Sequence, residues 1–105
     1  MANPYEAEDQ TPVPDYGSMW RLDKQVFIVL GAGQGIGRQS AHALAQAGAT
    51  VVCVGRRADA TAAIAREVGG IALVGDATVR ADMERIAAEV MQRYGRIDGL
   101  VDILG

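Results

Sequence analysis

The sequence has few of the residues on which disulfides, metal centres and membrane spans depend. Its 105 residues include one cysteine and one histidine, so an internal disulfide is excluded and a zinc site would lack ligands. No apolar run approaches the length of a membrane span. The N-terminus also lacks the basic start and apolar stretch of a secretory signal. We therefore expect a cytoplasmic protein without a metal site or a membrane partner.

Positive charge is also scarce. Lys and Arg number 10 against 13 Asp and Glu, which gives a net charge of −3. Proteins that bind nucleic acid usually carry a basic surface, so nucleic acid is not an expected partner. The lone Cys53 lies in an apolar run and is interpreted as a small core residue. His42 has no Asp or Cys in its helix to act with and is interpreted as a surface residue.

The prolines are confined to one end of the chain. Pro4, Pro12 and Pro14 all precede residue 20 and are interspersed with acidic residues. Low hydrophobicity with scattered prolines is typical of a segment without its own core. The sequence therefore predicts a flexible N-terminal arm over residues 1–20 and one domain over residues 21–105.

That domain alternates short apolar runs with helical patterns. The predicted strands are 25–30, 50–54, 71–74 and 100–104, and the predicted helices are 36–47, 59–68 and 79–94. The apolar runs do not alternate with polar residues, which indicates strands buried on both faces. Helical crossovers imply parallel, right-handed connections. We predict an α/β fold with part of a Rossmann-like, doubly wound parallel sheet, in strand order 3-2-1-4.

Helix faces and ends can be predicted in the same way. Gly37 is expected where the first helix comes closest to the sheet. Thr78 is the expected N-cap of the longest helix, and Tyr94 at its other end is expected to be packed. The predicted inward face of the first helix comprises Ile36, Ser40, Ala43, Leu44 and Ala47.

A glycine-rich segment joins the first strand to the first helix. Glycines let the backbone approach a phosphate closely, and the helix that follows presents free N–H groups and the positive end of its dipole. The spacing is Gly31-x-x-x-Gly35-x-Gly37, since Ile36 stands where G-x-G-x-x-G requires glycine. No Gly-Lys-Ser/Thr follows, so this is not a kinase-type phosphate loop. The sequence predicts a nucleotide site at the carboxyl edge of the sheet.

Four segments together resemble the short-chain dehydrogenase/reductase family over about residues 20–105. They are the lead-in Leu22 to Leu30, Gly31-Ala32-Gly33-Gln34-Gly35-Ile36-Gly37, Asp76-Ala77-Thr78 and Tyr94-Gly95-Arg96-Ile97-Asp98-Gly99-Leu100-Val101. The resemblance implies a bound dinucleotide, with Gly31, Gly35 and Ile36 at its pyrophosphate and ribose. Gly33, Gln34 and Gly37 complete that loop. Asp76 and Ala77 would contact the adenine.

The end of the second strand bears on which dinucleotide is bound. An NAD site generally has an acidic residue there for the ribose hydroxyls, but Gly55 and Arg56 occupy this place. A guanidinium can hold a 2′-phosphate through two charge-assisted hydrogen bonds. We therefore expect NADP(H), with NAD(H) as the alternative. Arg57 either assists Arg56 or simply begins the next helix. The missing acid also argues against a methyltransferase that uses S-adenosylmethionine.

The chain departs from the family pattern at two places. Leu30 replaces the usual threonine before the first glycine, and Asp102-Ile103-Leu104-Gly105 replaces Asn-Asn-Ala-Gly. The family's catalytic Ser, Tyr and Lys would come after the fourth strand, so we predict no catalytic residue in this sequence. We expect the cofactor-binding half of an oxidoreductase that acts on a carbonyl or alcohol substrate, and a homo-oligomer in the complete enzyme. The alternatives are a non-catalytic nucleotide-binding module and a truncated fragment without stable function.

Overall fold

The chain folds into a four-stranded parallel sheet with helices on both faces. The computed structural model describes residues 8–104. Its strands are β1 (Val26–Leu30), β2 (Thr50–Gly55), β3 (Ile71–Val74) and β4 (Gly99–Asp102), and its helices are α1 (Gly35–Gln46), α2 (Ala58–Val68) and α3 (Arg80–Tyr94). The strands lie in the order β3-β2-β1-β4, and every neighbouring pair is parallel. The predicted fold class and strand order are confirmed.

The central strands are apolar throughout because their side chains pack into two hydrophobic cores, one on each face of the sheet. Ile28 of β1 packs with Ile86 of α3 on one face of the sheet. The next residue, Val29, packs with Ala41 of α1 and Ile64 of α2 on the other. Because successive strand residues point to opposite faces, a strand with helices on both sides must be apolar throughout.

Gly37 is buried, but its nearest neighbours are Gly31 and Ala32 of the loop after β1, and the predicted inward face of α1 is right at Leu44 and wrong at Ile36 and Ala43. The side of α1 that packs on the sheet is centred on Gly37 and Ala41, with Leu44 and Ala45 beside them. Ile36, which was expected to face inward, is 70% exposed. The glycine sets the rotation of the helix, because only a residue without Cβ fits at the closest approach, and its neighbour Ile36 is thereby turned outward.

Two predicted boundaries also need correction. Helix α3 begins at Arg80, preceded by Val79 without a side-chain cap, so Thr78 is not its N-cap. Strand β4 ends at Asp102 instead of Leu104, because the Asp102 carboxylate accepts a hydrogen bond from the Leu104 N–H at 2.9 Å and turns the chain. Tyr94 does pack against the core, as predicted.

The segment before the domain carries little regular structure. Residues 8–15 have none, and Tyr16–Trp20 form a 3₁₀ helix without a buried residue. The domain begins where the Leu22 N–H donates to the Ala47 carbonyl at 2.8 Å. Residues 1–7 of the predicted arm lie outside the described part of the chain. Flexibility of the arm stays a prediction.

Cys53, interpreted as a core residue, lies in the core, and His42, interpreted as a surface residue, is partly exposed beside α2. Cys53 is fully buried, and burial raises the pKa of its thiol to about 11, which leaves it protonated near neutral pH. His42 lies on the outer side of α1, where its Nε2 is 3.0 Å from Oε1 of Glu67 on α2. Arg38 Nη2 donates to the same oxygen at 2.7 Å. Among residues 8–104, no helix combines the length and the apolar character needed to cross a membrane.

A single carboxylate ties the start of β1 to the start of β4. Asp98 Oδ2 accepts a hydrogen bond from the Val26 N–H at 2.7 Å and another from Arg96 Nε at 2.8 Å. The Asp98 N–H returns a bond to the Val26 carbonyl at 2.8 Å. The Arg96 hydrogen bonds, then the one from Val26, hold the pKa of Asp98 below its ordinary value.

This arrangement predicts a pH-dependent effect of Asp98→Asn. Because the pKa of Asp98 is lower in the folded chain, its stabilisation is complete above the unfolded pKa near 4 and is lost as pH falls through the folded pKa. The variant should therefore be less stable than the unaltered chain at pH 7, and the difference should close towards pH 2. Urea unfolding across this range measures it, with Glu8→Gln, at an exposed position before the domain, as the control for net charge. A difference that stays constant with pH would contradict the assignment.

Candidate functional site

The carboxyl ends of the parallel strands meet at one edge of the sheet, where the loops form two adjoining cavities. The larger encloses about 450 Å³ and the smaller about 230 Å³. Gly31, Gly55, Arg56 and Leu104 line both. Ligands of open α/β sheets bind outside the carboxyl ends of the strands, so this edge is the candidate site.

Every predicted cofactor residue except Gly37 lines one of these cavities. The larger is lined by Gly31, Gly33, Gln34, Gly35, Ile36, Arg56 and Arg57, and the smaller by Gly31, Arg56, Asp76 and Ala77. Gly37 is buried beneath the loop. A Cβ on it would overlap the Gly31 carbonyl oxygen and lie 2.7 Å from the carbonyl carbon. Its place in the fold is to let α1 approach the loop.

The glycine loop is held against the second strand by main-chain hydrogen bonds. The Gly31 N–H and Ala32 N–H both donate to the Val54 carbonyl, at 2.9 and 3.3 Å. Gly31 has φ +82° and Gly35 has φ +55°, conformations that residues with a Cβ rarely adopt. These two glycines therefore let the chain turn sharply from β1 into α1.

The first turn of α1 faces the larger cavity without a side-chain cap. Gln34 precedes the helix in an extended conformation and makes no capping hydrogen bond. The first hydrogen bond of the helix runs from the Arg38 N–H to the Gln34 carbonyl, at 3.3 Å. The N–H groups of residues 35–37 precede it and have no carbonyl within the helix. Such a helix start is suited to an anion.

The two arginines after β2 stand at the start of the next helix. Arg56 and Arg57 are exposed and line the larger cavity. Arg57 also immediately precedes α2, and its carbonyl accepts a hydrogen bond from the Thr61 N–H at 3.0 Å. Arg57 therefore lines the cavity and also precedes α2, and its assistance to Arg56 stays a prediction. The two arginine side chains bring positive charge to this part of the cavity.

The smaller cavity contains a carboxylate held by its own loop. Asp76 Oδ1 accepts hydrogen bonds from the Thr78 hydroxyl at 2.7 Å and the Thr78 N–H at 2.9 Å. These bonds, the hydroxyl first, hold the pKa of Asp76 below its ordinary value, and the charge of Arg56 acts in the same direction. The Thr78 hydroxyl, which was predicted to cap α3, therefore donates its hydrogen bond to Asp76 instead.

Sequence reasoning missed the residues that complete the walls. Ile103 and Leu104 follow β4 and line the larger cavity, where Leu104 Cδ2 would lie 3.0 Å from a Cβ on Gly31. Ala60 and Thr61 of α2 line it from the opposite side. The place of Ile103 and Leu104 at the carboxyl end of the fourth strand is the signal that could have indicated them, because ligands bind at that edge. Nothing in the local pattern of α2 indicated Thr61.

The comparisons with known proteins agree with this geometry. Residues 25–105 match the family model described as short chain dehydrogenase. A 3beta-hydroxysteroid dehydrogenase of Mediterraneibacter gnavus is 36% identical over 92 residues, which cover 83% of this chain and 33% of that protein. A sorbitol dehydrogenase of Cereibacter sphaeroides is 37% identical over 84 residues, covering 78% and 33%. The chain belongs to the short-chain dehydrogenase family.

Solved structures agree in fold. A hydroxysteroid dehydrogenase from Escherichia coli superposes with a TM-score of 0.74 at 33% identity, over 82% of this chain and 39% of that one. The chain thus spans about one third of the length of these curated relatives. Nicotinamide nucleotides are the cofactors of this family, and the cavities lie at the edge where α/β sheets bind such ligands.

Proposed function

We propose that this chain binds NADP(H) and forms the nucleotide-binding part of an oxidoreductase acting on a carbonyl or alcohol. The observation that carries the proposal is the pairing of two anion-binding features in one cavity. The cavity is lined both by the uncapped start of α1 and by Arg56 and Arg57. NADP(H) carries negative charge on its pyrophosphate and on its 2′-phosphate, which these two features would bind.

The pyrophosphate would lie over the glycine loop. Gly31, Gly33 and Gly35 present backbone without side chains to the cavity, and the start of α1 supplies N–H donors. Gln34 and Ile36 flank this path and are exposed to the cavity. The fit of an anion here depends on backbone groups, so side-chain charge is not required.

The 2′-phosphate would be held by Arg56, assisted by Arg57. Residue 55, where an acidic side chain would favour the ribose hydroxyls of NAD, is glycine. Without that carboxylate the phosphate meets no like charge at the end of β2. A guanidinium donates two parallel hydrogen bonds to phosphate oxygens, which supports a preference for NADP(H) over NAD(H).

The adenine would occupy the smaller cavity. Asp76 and Ala77 line it beside Val54 and Leu30. Among the described residues, the Asp76 side chain accepts its hydrogen bonds through Oδ1, which leaves Oδ2 for the amino group of a base. When bound, the reduced nicotinamide would donate a hydride to a carbonyl, or the oxidised nicotinamide would accept one from an alcohol. This chain's own residues bind and orient the nucleotide.

Nucleotide titration of the 105-residue chain tests the proposal. We expect NADPH to bind at least about tenfold more tightly than NADH, since one charge-assisted hydrogen bond contributes about 1.5 to 3 kcal/mol. Adenosine 2′,5′-bisphosphate should likewise bind more tightly than 5′-AMP, which isolates the contribution of the 2′-phosphate. Calorimetry gives the affinities, and a rise in melting temperature gives an independent measure. No binding of either dinucleotide at millimolar concentration would overturn the proposal.

A negative charge placed at the start of α1 tests the proposed position of the pyrophosphate, and the same charge further along the helix is the matched control. Ile36→Glu puts a carboxylate beside the proposed pyrophosphate, and the exposure of Ile36 means that folding should change little. We expect NADPH affinity to fall about tenfold or more. Ala43→Glu adds the same charge at an exposed position further along α1 and should bind NADPH normally.

A further inference from the structure

The glycine at the end of β2 has no room for a side chain. Gly55 lines both cavities. A Cβ built on it would lie 2.5 Å from Oγ1 of Thr61, but 3.7 Å from Cβ and 3.9 Å from Cγ2 of the same residue. The last two distances are ordinary van der Waals contacts. The hydroxyl alone therefore occupies the space that a side chain on residue 55 would need.

This hydroxyl is held in place. Thr61 is 1% exposed, in the first turns of α2. Its Oγ1 donates a hydrogen bond of 2.7 Å to the Arg57 carbonyl, one helical turn back. Rotation about χ1 would break that bond and leave the buried hydroxyl without its partner, which is costly. The obstruction at residue 55 is thus a fixed part of the α2 start.

We propose that Thr61 is a positioning residue that determines nucleotide specificity by keeping the end of β2 free of any side chain. This inference rests on the proposed function. With the hydroxyl in place, an acidic residue cannot be presented to the ribose from position 55. The 2′ position of the nucleotide then faces Arg56 and Arg57. The Thr61 hydroxyl also links the Arg57 carbonyl to α2.

A stability cycle tests the obstruction without any ligand. Gly55→Ala should lower the melting temperature by about 8 °C or more, as expected for overpacking in a small domain. In a Thr61→Ala background the same substitution should cost less than about half as much. Thr61→Val is the matched control, because its methyl replaces the hydroxyl in shape but cannot donate. Gly55→Ala should remain fully costly there, and equal losses in all three backgrounds would overturn the proposal.

The consequence for specificity is measured with NADH and NADPH as probes. We expect the double variant Gly55→Asp with Thr61→Ala to bind NADH at least about tenfold more tightly than Gly55→Asp with Thr61→Val, and to lose affinity for NADPH. Equal NADH affinities in the two double variants would overturn the role in specificity. If the unaltered chain binds neither nucleotide, the proposed function and this role both fail. The stability cycle then still decides whether Thr61 fills the side-chain space of residue 55.

Discussion

Gly37→Ala should destabilise the domain by about 3 kcal/mol, at the upper end of the usual cost of overpacking. The added Cβ would overlap the Gly31 carbonyl oxygen and lie 3.0 Å from the Ala32 Cα. These are backbone atoms of a loop that is itself hydrogen-bonded to β2, so no side chain can move aside. Relief requires α1 to shift away from the sheet, which opens the apolar contact of Ala41.

Chemical denaturation and thermal melting measure this effect. At about 4 to 8 °C per kcal/mol for a domain of this size, the melting temperature should fall by roughly 12 to 24 °C. Gly17→Ala is the control, because it adds the same methyl in the exposed 3₁₀ helix, 3.4 Å from the Asp15 carboxylate. A loss below about 1 kcal/mol for Gly37→Ala would mean that the close approach of α1 to the loop is not rigid.

Arg56→Ala should reduce the preference for NADPH over NADH at least about tenfold. The guanidinium supplies charge-assisted hydrogen bonds worth about 1.5 to 3 kcal/mol each to the proposed 2′-phosphate. NADH has no phosphate there, so its affinity should change little. Because Arg56 is exposed, the substitution should leave the fold intact, and the ratio of two dissociation constants in one protein cancels general effects.

Two further arginines sharpen this experiment. Arg66→Ala removes the same charge from the last turn of α2, away from the cavity, and should leave the ratio unchanged. Arg57→Ala should reduce the ratio by less than Arg56→Ala if Arg57 only assists. An unchanged ratio in Arg56→Ala would contradict a 2′-phosphate contact by this residue, whatever the total affinity for nucleotides.

Much of the fold could be predicted because the informative patterns are local. The run Val26–Leu30 has no polar residue at which to face water, so it had to be a strand covered on both sides. The breaks between helices and strands coincide with Gly69 and Gly95, which adopt the left-handed conformation at helix ends. The boundary errors are at most one residue, except at the end of β4, where an aspartate turns the chain two residues early.

The site could be predicted in outline for a similar reason. The glycine spacing between a strand and a helix is visible along the chain, and parallel strands bring Arg56 and Asp76 to the same edge as Gly31. The roles of these residues toward a nucleotide remain predictions for the titrations to decide. What the pattern could not indicate was the rotation of α1, since Ile36 and Ala41 are both apolar candidates for a buried face.

The amino-acid sequence thus dictates the order of strands and helices, the glycine turn and the charge at the carboxyl edge. These depend on backbone conformation and periodicity within a few residues. The contact of Thr61 with Gly55 and the position of Leu104 over Gly31 depend on how separate elements pack. Such contacts are set by helix rotation and strand register, which arise only when the whole sheet is assembled. In the sequence, residue 55 is therefore one glycine among several. In the fold, the Thr61 hydroxyl occupies the space that its side chain would need.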